Sequence, residues 1–366
     1  MAVIEANGVW KIFGGDPERA RRLATEEGMS KAEVKEETGS VIAVNDASFE
    51  VQEKEIFVVM GLSGSGKSTL LRCINRLIEP TFGTVRVHDE AVTGADDDRL
   101  RELRRSKMSM VFQNFGLFPH RSVIGNVEYG LEISGMEKEK RREKARRTLE
   151  TVGLKGYEES QTSELSGGMQ QRVGLARALV TDPEILLMDE AFSALDPLIR
   201  DEMQNELLDL QDKLEPTCTI LFITHDLDEA LKMGDRIAIM NDGELAQVGT
   251  PTEILTKPAD EYVRSFVQNV DRTKVIPART VMREPADGEA DQMHSDSPSV
   301  ALHTPIADVL PLVLESDTPI AVRNTDGDVK GIVDRAAVMD EVTENADGAA
   351  TRAAAAEEEE RKAKAA

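Results

Sequence analysis

The feature that most constrains this chain is the run Gly61-Leu62-Ser63-Gly64-Ser65-Gly66-Lys67-Ser68, set directly behind the apolar segment Ile56–Met60. A short, uninterrupted apolar segment reads as a strand buried on both faces of a parallel sheet. A glycine, four variable positions and then Gly-Lys-Ser complete a phosphate-binding loop. The strand before it and a helix beginning near Lys67 give the match its meaning. Glycines let successive backbone N–H groups curl around phosphate oxygens, and the helix N-terminus adds positive potential. In such a loop Lys67 reaches the β- and γ-phosphates and the Ser68 hydroxyl ligates Mg²⁺. Thr69 completes the contact set.

A second apolar run, Ile185–Met188, ends in Asp189 and Glu190. Parallel α/β sheets bind ligands at the C-terminal ends of their strands, where this run delivers two carboxylates. Asp189 is placed to hold Mg²⁺, and Glu190 to orient or deprotonate an attacking water. A third apolar run, Thr219–Thr224, ends at His225.

Strands alternating with helices predict an α/β domain over residues 1–250, with strands at 3–13 and within 41–60. Helices are expected at 98–105 and 137–152. Between the first two strand regions lies a charged insertion, 16–40, that reads as two short helices. Asp16 with Pro17 starts one and Gly28 stops it; Ser30 with Glu33 forms a capping box for the other, which Gly39 ends. A helical linker is expected over 251–276. Residues 277–342 form a separate small pattern: an amphipathic helix at Pro305–Leu314, a strand at Pro319–Val322, a turn at Asp326-Gly327 and a strand at Val329–Val333. Residues 343–366 are Ala/Glu/Lys low complexity.

Composition excludes several functions. The net charge of −24 lacks the basic footprint of a nucleic-acid binder. No run approaches the ~18–20 apolar residues of a membrane span, and no signal peptide is expected at the N-terminus. Cys73 and Cys218 lack metal-ligand spacing and read as buried thiols. So acidic a chain would repel an anionic nucleotide in dilute buffer. At 1 M salt the Debye length shrinks to ~3 Å, which removes the conflict and points to a salt-rich cytoplasm.

The segment Leu165-Ser166-Gly167-Gly168-Met169-Gln170 resembles the signature motif of ABC ATPases. The resemblance implies a P-loop NTPase of the ABC type, with a helical subdomain at about 115–165 and with ATP and Mg²⁺ as cofactors. It further implies a head-to-tail homodimer, in which Ser166, Gly167, Gly168 and Asp196 of one subunit meet the ATP held by the other. The usual glutamine after the glycines is Met169 here, which removes the side chain expected at the ribose. Gln113, in Val-Phe-Gln-Asn-Phe, matches the glutamine that senses Mg²⁺ and the attacking water. Ser193-Ala194-Leu195-Asp196 matches the loop communicating across the dimer, and His225 the histidine at the γ-phosphate. Phe13 aligns best with the aromatic that stacks on adenine, with Trp10 as its competitor.

Over residues 5–275 the chain is similar to the ATPases of glycine betaine/L-proline importers. The insertion at 16–40, Asn75–Pro80 and Ala191–Arg200 carry that likeness. It implies transmembrane permease partners, an indirect solute-binding protein and a place at the cytoplasmic membrane face. With the acidic composition, it suggests a halophilic archaeal source. A methionine or polar amino-acid importer, or an ABC ATPase outside transport, are the alternatives. Residues 277–342 resemble a single CBS motif, a small α+β module. Asp334 stands at its usual hydroxyl position and Ala337 at its ribose-binding acid, which disfavours adenine nucleotide there.

Overall fold

The structure, a computed structural model, describes the chain except residues 1, 114–115, 194, 214–217, 269, 287–292, 294–296, 317, 325–326, 341–342 and 344–366, and the side chains of 210, 212, 213 and 272. The Asp326 half of the expected turn and the low-complexity tail after Thr343 lie outside the described residues.

The chain begins with β1 (Ala2–Phe13), α1 (Pro17–Glu26), α2 (Lys31–Thr38) and β2 (Val41–Gln52). Then follow β3 (Ile56–Met60), α3 (Lys67–Ile74), β4 (Phe82–Val87), β5 (Glu90–Ala91), α4 (Asp97–Ser106) and β6 (Met108–Val111). A helical stretch comes next: α5 (Val123–Val127), α6 (Tyr129–Ile133), α7 (Lys138–Thr151) and α8 (Gly167–Leu179). The chain returns through β7 (Ile185–Asp189), α9 (Pro197–Lys213), β8 (Thr219–Thr224), α10 (Leu227–Met233), β9 (Arg236–Asn241) and β10 (Glu244–Gly249). The remainder holds α11 (Pro251–Thr256), α12 (Glu261–Val267), α13 (Arg272–Val275), α14 (Ala278–Val281), β11 (Ser299–Ala301), α15 (Ile306–Glu315), β12 (Ile320–Arg323) and β13 (Val329–Val333).

The fold is α/β. The central sheet runs β10-β9-β3-β8-β7-β6 and is parallel except for the β9–β10 hairpin. Every residue of β3, β7 and β8 is buried, as their unbroken apolar sequences require. Their C-terminal ends therefore deliver the phosphate loop, Glu190 and His225 to one edge. A second, antiparallel sheet, β2-β1-β4-β5, packs over α3. The 41–60 region thus divides: β2 belongs to this outer sheet and β3 to the central one.

The insertion forms two helices. Asp16 caps α1 by accepting from the Arg19 N–H, and Ser30 and Glu33 close a reciprocal capping box on α2. Gly39 ends α2 in the left-handed region. Both helices sit on a small core of their own, built from Trp10, Ile12, Ala20, Leu23, Val34 and Ile42.

The linker stretch divides into α11 and α12 around Pro258, with Thr250 closing a capping box on α11. Beyond it, β11-β12-β13 form a three-stranded sheet covered by α15. This unit packs on α10 through α13, and Arg279 donates to the Met233 carbonyl at 3.0 Å and pairs with Asp235 at 3.3 Å.

Candidate active site

The phosphate loop is held by close backbone contacts on both sides. Gly66 caps α3 with φ 105°, and a Cβ there would lie 2.2 Å from the Ala43 carbonyl oxygen of β2. A Cβ on Gly61 would lie 2.2 Å from the Met240 carbonyl oxygen of β9. The β9–β10 turn fixes the loop as well: Gly243 N–H donates to the Ser65 carbonyl at 2.8 Å, and Asn45 N–H to the Gly243 carbonyl at 2.8 Å. Only glycine fits where this loop is threaded between two strands. Lys67 is nearly buried, and its Nζ donates to the carbonyls of Gly61 at 2.9 Å and Leu62 at 3.0 Å. Burial lowers its pKa, against the opposing pull of Glu190 and Asp189.

Two carboxylates face that lysine. Asp189 is 1% exposed; it accepts from the Ser68 hydroxyl at 2.6 Å and lies 3.3 Å from the Arg72 guanidinium. Glu190 follows with φ 47°, a left-handed turn secured by its N–H donating to the Ile223 carbonyl at 3.0 Å. This turn aims its carboxylate at three neighbours: Gln113 Nε2 at 3.1 Å, His225 Nδ1 at 3.4 Å and Lys67 Nζ at 3.9 Å. Residues from four separate segments, spread between Lys67 and His225, meet at one carboxylate.

His225 is backed by a network that motif reading missed. The Thr224 hydroxyl donates to Glu229, which also accepts from Gln204 at 3.0 Å, while Arg200 pairs with Asp226 at 3.1 Å. Glu229 is buried, and desolvation raises its pKa. A sequence signal was present: Asp226, three residues before Glu229, is the N-cap of α10.

A cleft of about 530 Å³ lies over the loop, lined by Ser63, Gly64, Gly66, Lys67, Ser68 and Thr69, with Gln113 and Glu190. Lys31, Ala32 and Lys35 of α2 and Val41–Ala43 of β2 complete it, a wall the motifs did not disclose. Phe13 is 41% exposed and pairs in register with Val41, beside the cleft. Trp10 is 2% exposed; its indole N–H donates to Asp46 and its ring packs in the insertion's core, so it is not available to stack on a base.

These residues fit a magnesium nucleotide. The loop leads into the N-terminus of α3, the Ser65 hydroxyl is buried without a hydrogen-bond partner among the described residues, and Ser68 and Asp189 set two oxygen ligands side by side. Mg²⁺ is commonly held by one or two protein oxygens together with substrate phosphates and water.

Comparison with known proteins accords with this geometry. Residues 44–193 match the family model described as ABC transporter. The chain is 48% identical over 389 aligned positions to the glycine betaine/carnitine transport ATP-binding protein GbuA of Listeria monocytogenes, covering 93% of this chain and 97% of that protein. The chain belongs to the ATP-binding subunits of ABC transporters. It is also 54% identical to the glycine betaine/proline betaine transport system ATP-binding protein ProV of Escherichia coli, over 79% of this chain and 72% of that one. A dimeric ATP-binding cassette solved in a post-hydrolysis state with ADP and Pi is similar over 68% of this chain and 98% of its own, at 31% identity and a TM-score of 0.57.

In this ABC ATPase the signature residues stand apart from the chain's own cleft: Ser166, Gly167, Gly168 and Asp196 are absent from its lining. Ser166 caps α8 by accepting from the Met169 N–H at 3.3 Å, and the Met169 side chain packs against the core. Gln170 is engaged locally, donating to the carbonyls of Thr162 and Leu165. Cys73 and Cys218 are buried, their thiols pushed up to about 12 by desolvation, and so are inert.

Proposed function

We propose that this ABC ATPase hydrolyses ATP to drive import of glycine betaine, proline or a related compatible solute through transmembrane permease subunits. A solute-binding protein delivers the cargo. The convergence of Gln113, His225 and Lys67 on Glu190 carries the hydrolytic part; the names and coverage of the relatives support the cargo. Lys67, the loop amides and Ser68 hold the triphosphate, with Phe13 against the base. Ser68, Asp189 and Gln113 would hold Mg²⁺, which supplies charge neutralisation at the β- and γ-oxygens. Glu190 orients or accepts a proton from the attacking water, and His225 contacts the γ-phosphate. Since Ser166, Gly167, Gly168 and Asp196 do not line their own cleft, we assign them to the ATP of a second, head-to-tail copy.

A second cleft supports the permease reading. Leu77, Phe112 and Ile133 are 49%, 38% and 50% exposed around it, and Arg101, Arg104, Arg105 and Arg177 also line it. Phe112 adjoins Gln113, so a permease segment seated there would be connected to the γ-phosphate through one residue. Among the described residues no helix is long and apolar enough to cross a membrane, and we place the subunit peripherally at the cytoplasmic face.

We read residues 277–342 as a single CBS-like module that pairs with its copy on the other subunit. Asp334 there pairs with Arg283 at 2.6 Å, leaving that arginine already matched by a carboxylate. We read the acid excess as adaptation to a salt-rich cytoplasm such as that of a halophilic archaeon. ATPase activity is then expected to persist in molar KCl, and loss of activity there would remove this reading.

The decisive experiment changes Glu190 to Gln. Turnover is expected to fall ~10²–10⁴-fold while ATP binding is retained and a closed dimer accumulates on size exclusion. Ordinary steady-state hydrolysis by this variant would sink the assignment. Uptake of labelled betaine, proline and choline by cells lacking the chain decides the cargo.

A further inference from the structure

We propose that the insertion helix α2 forms part of the nucleotide site, with Lys35 and Lys31 contacting bound ATP from the side facing the phosphate loop. This rests on the cleft being the ATP site. Lys31 and Lys35, four residues apart, stack on one face of α2 with Ala32 beside them, and all three line the cleft. Val34, on the other side, is fully buried in the insertion's core, which fixes that rotation. The capping box at Ser30 and the left-handed Gly39 fix the helix ends.

The helix is also coupled to the loop itself. Lys31 Nζ lies 3.4 Å from Asp242 in the β9–β10 turn, whose Gly243 N–H holds the Ser65 carbonyl of the phosphate loop at 2.8 Å. Burial lowers the pKa of Lys31, while Asp242 opposes that shift. Lys35 is exposed toward the cleft and makes no ion pair among the described residues. In a chain of net charge −24, two lysines brought to the same cleft as Lys67 answer the charge of a polyphosphate. A merely solvated helix face would put them anywhere on its exposed side; these face the cleft.

The test measures ATP affinity by calorimetry on the full chain in the Glu190→Gln background, with Mg²⁺ present. Lys35→Glu reverses a charge without touching the core, and Ala32→Trp fills the cleft from an exposed position. At low salt Lys35→Glu is expected to weaken ATP binding about 3- to 10-fold, an effect that shrinks in molar KCl. Ala32→Trp is expected to weaken it about tenfold or more in both. Arg22→Glu, on the exposed surface of α1 and away from the cleft, is the charge-matched control. Circular dichroism and melting confirm that each variant is folded. If Lys35→Glu and Ala32→Trp both bind ATP like the parent while Lys67→Ala loses it, α2 does not touch the nucleotide and the ATP site stands. If Lys67→Ala binds normally, the phosphate-loop reading itself has failed.

Discussion

Replacing Ser68 by alanine should destabilise the protein even without nucleotide, and the amount follows from how Asp189 is buried. That carboxylate is 1% exposed and has two polar neighbours, the Ser68 hydroxyl at 2.6 Å and Arg72 at 3.3 Å. The Arg72 side chain is 45% exposed, so solvent screens its attraction to about 0–1 kcal/mol. The serine hydrogen bond is the stronger support: hydrogen bonds to charged groups contribute about 1.5–3 kcal/mol, and a buried acceptor left unmatched costs a similar amount. Ser68→Ala should therefore lose about 1.5–3 kcal/mol in urea denaturation of the nucleotide-free protein. Asp189→Asn keeps an acceptor for Ser68 and gives up the screened arginine and the pull on Lys67 while relieving the burial of a charge, so its loss should be smaller than that of Ser68→Ala. In the double variant the penalty for Ser68→Ala should shrink by about 1–2 kcal/mol, because no buried charge is left stranded. Both single variants should lose Mg²⁺-dependent strengthening of ATP binding. Additive effects in the double variant would refute the claim that a carboxylate–hydroxyl contact holds this corner together.

Two further outcomes are expected. Glu229 has a folded pKa raised above its unfolded value, so its stabilising contribution is full below the unfolded pKa and is lost as pH rises through the folded one. Glu229→Gln should accordingly gain on the parent in urea midpoint as pH rises above the ordinary Glu value of about 4.3, and a pH-independent difference would contradict the burial argument. Arg279→Ala removes the pair with Asp235 and the bond to the Met233 carbonyl, at a cost of about 1–3 kcal/mol to docking of the C-terminal unit. Faster amide hydrogen exchange in Ile320–Arg323, with exchange in β3 unchanged, is the expected reading.

The sequence exposed most of the site because its motifs are tied to strand ends. Apolar runs such as Ile185–Met188 and Thr219–Thr224 read as buried strands, and the residues after them had to emerge at one sheet edge. Helix ends were equally legible where local chemistry sets them, as at Ser30 with Glu33 and at Gly39. What could not be read was contact across distance. Trp10 and Phe13 lie on the same strand, and only the packing of the insertion shows that one is buried while the other is open. The division of 41–60 between two sheets follows from strand pairing, to which the local pattern is blind. The wall that α2 adds to the cleft likewise arises from tertiary placement, since Lys31 and Lys35 look in sequence like any charged helix surface.

Charge shows how local placement overrides composition. A chain of net charge −24 that binds a polyanion poses a problem only if its carboxylates crowd the site. Of the acidic residues lining the cleft, Glu190 is engaged by Gln113, His225 and Lys67, and Asp242 by Lys31. Asp189, just beneath, is matched by Ser68 and Arg72. Each carboxylate lining the cleft or just beneath it therefore has a donor or cation beside it, while Lys35 adds positive charge to the lining. The remaining acids do not line the cleft, and the field of exposed ones fades over a Debye length of about 8 Å at physiological ionic strength and ~3 Å in molar salt. High salt thus removes the distant repulsion and leaves the contacts inside the cleft much less screened. That asymmetry is how an acid-rich surface and an ATP site coexist in one chain.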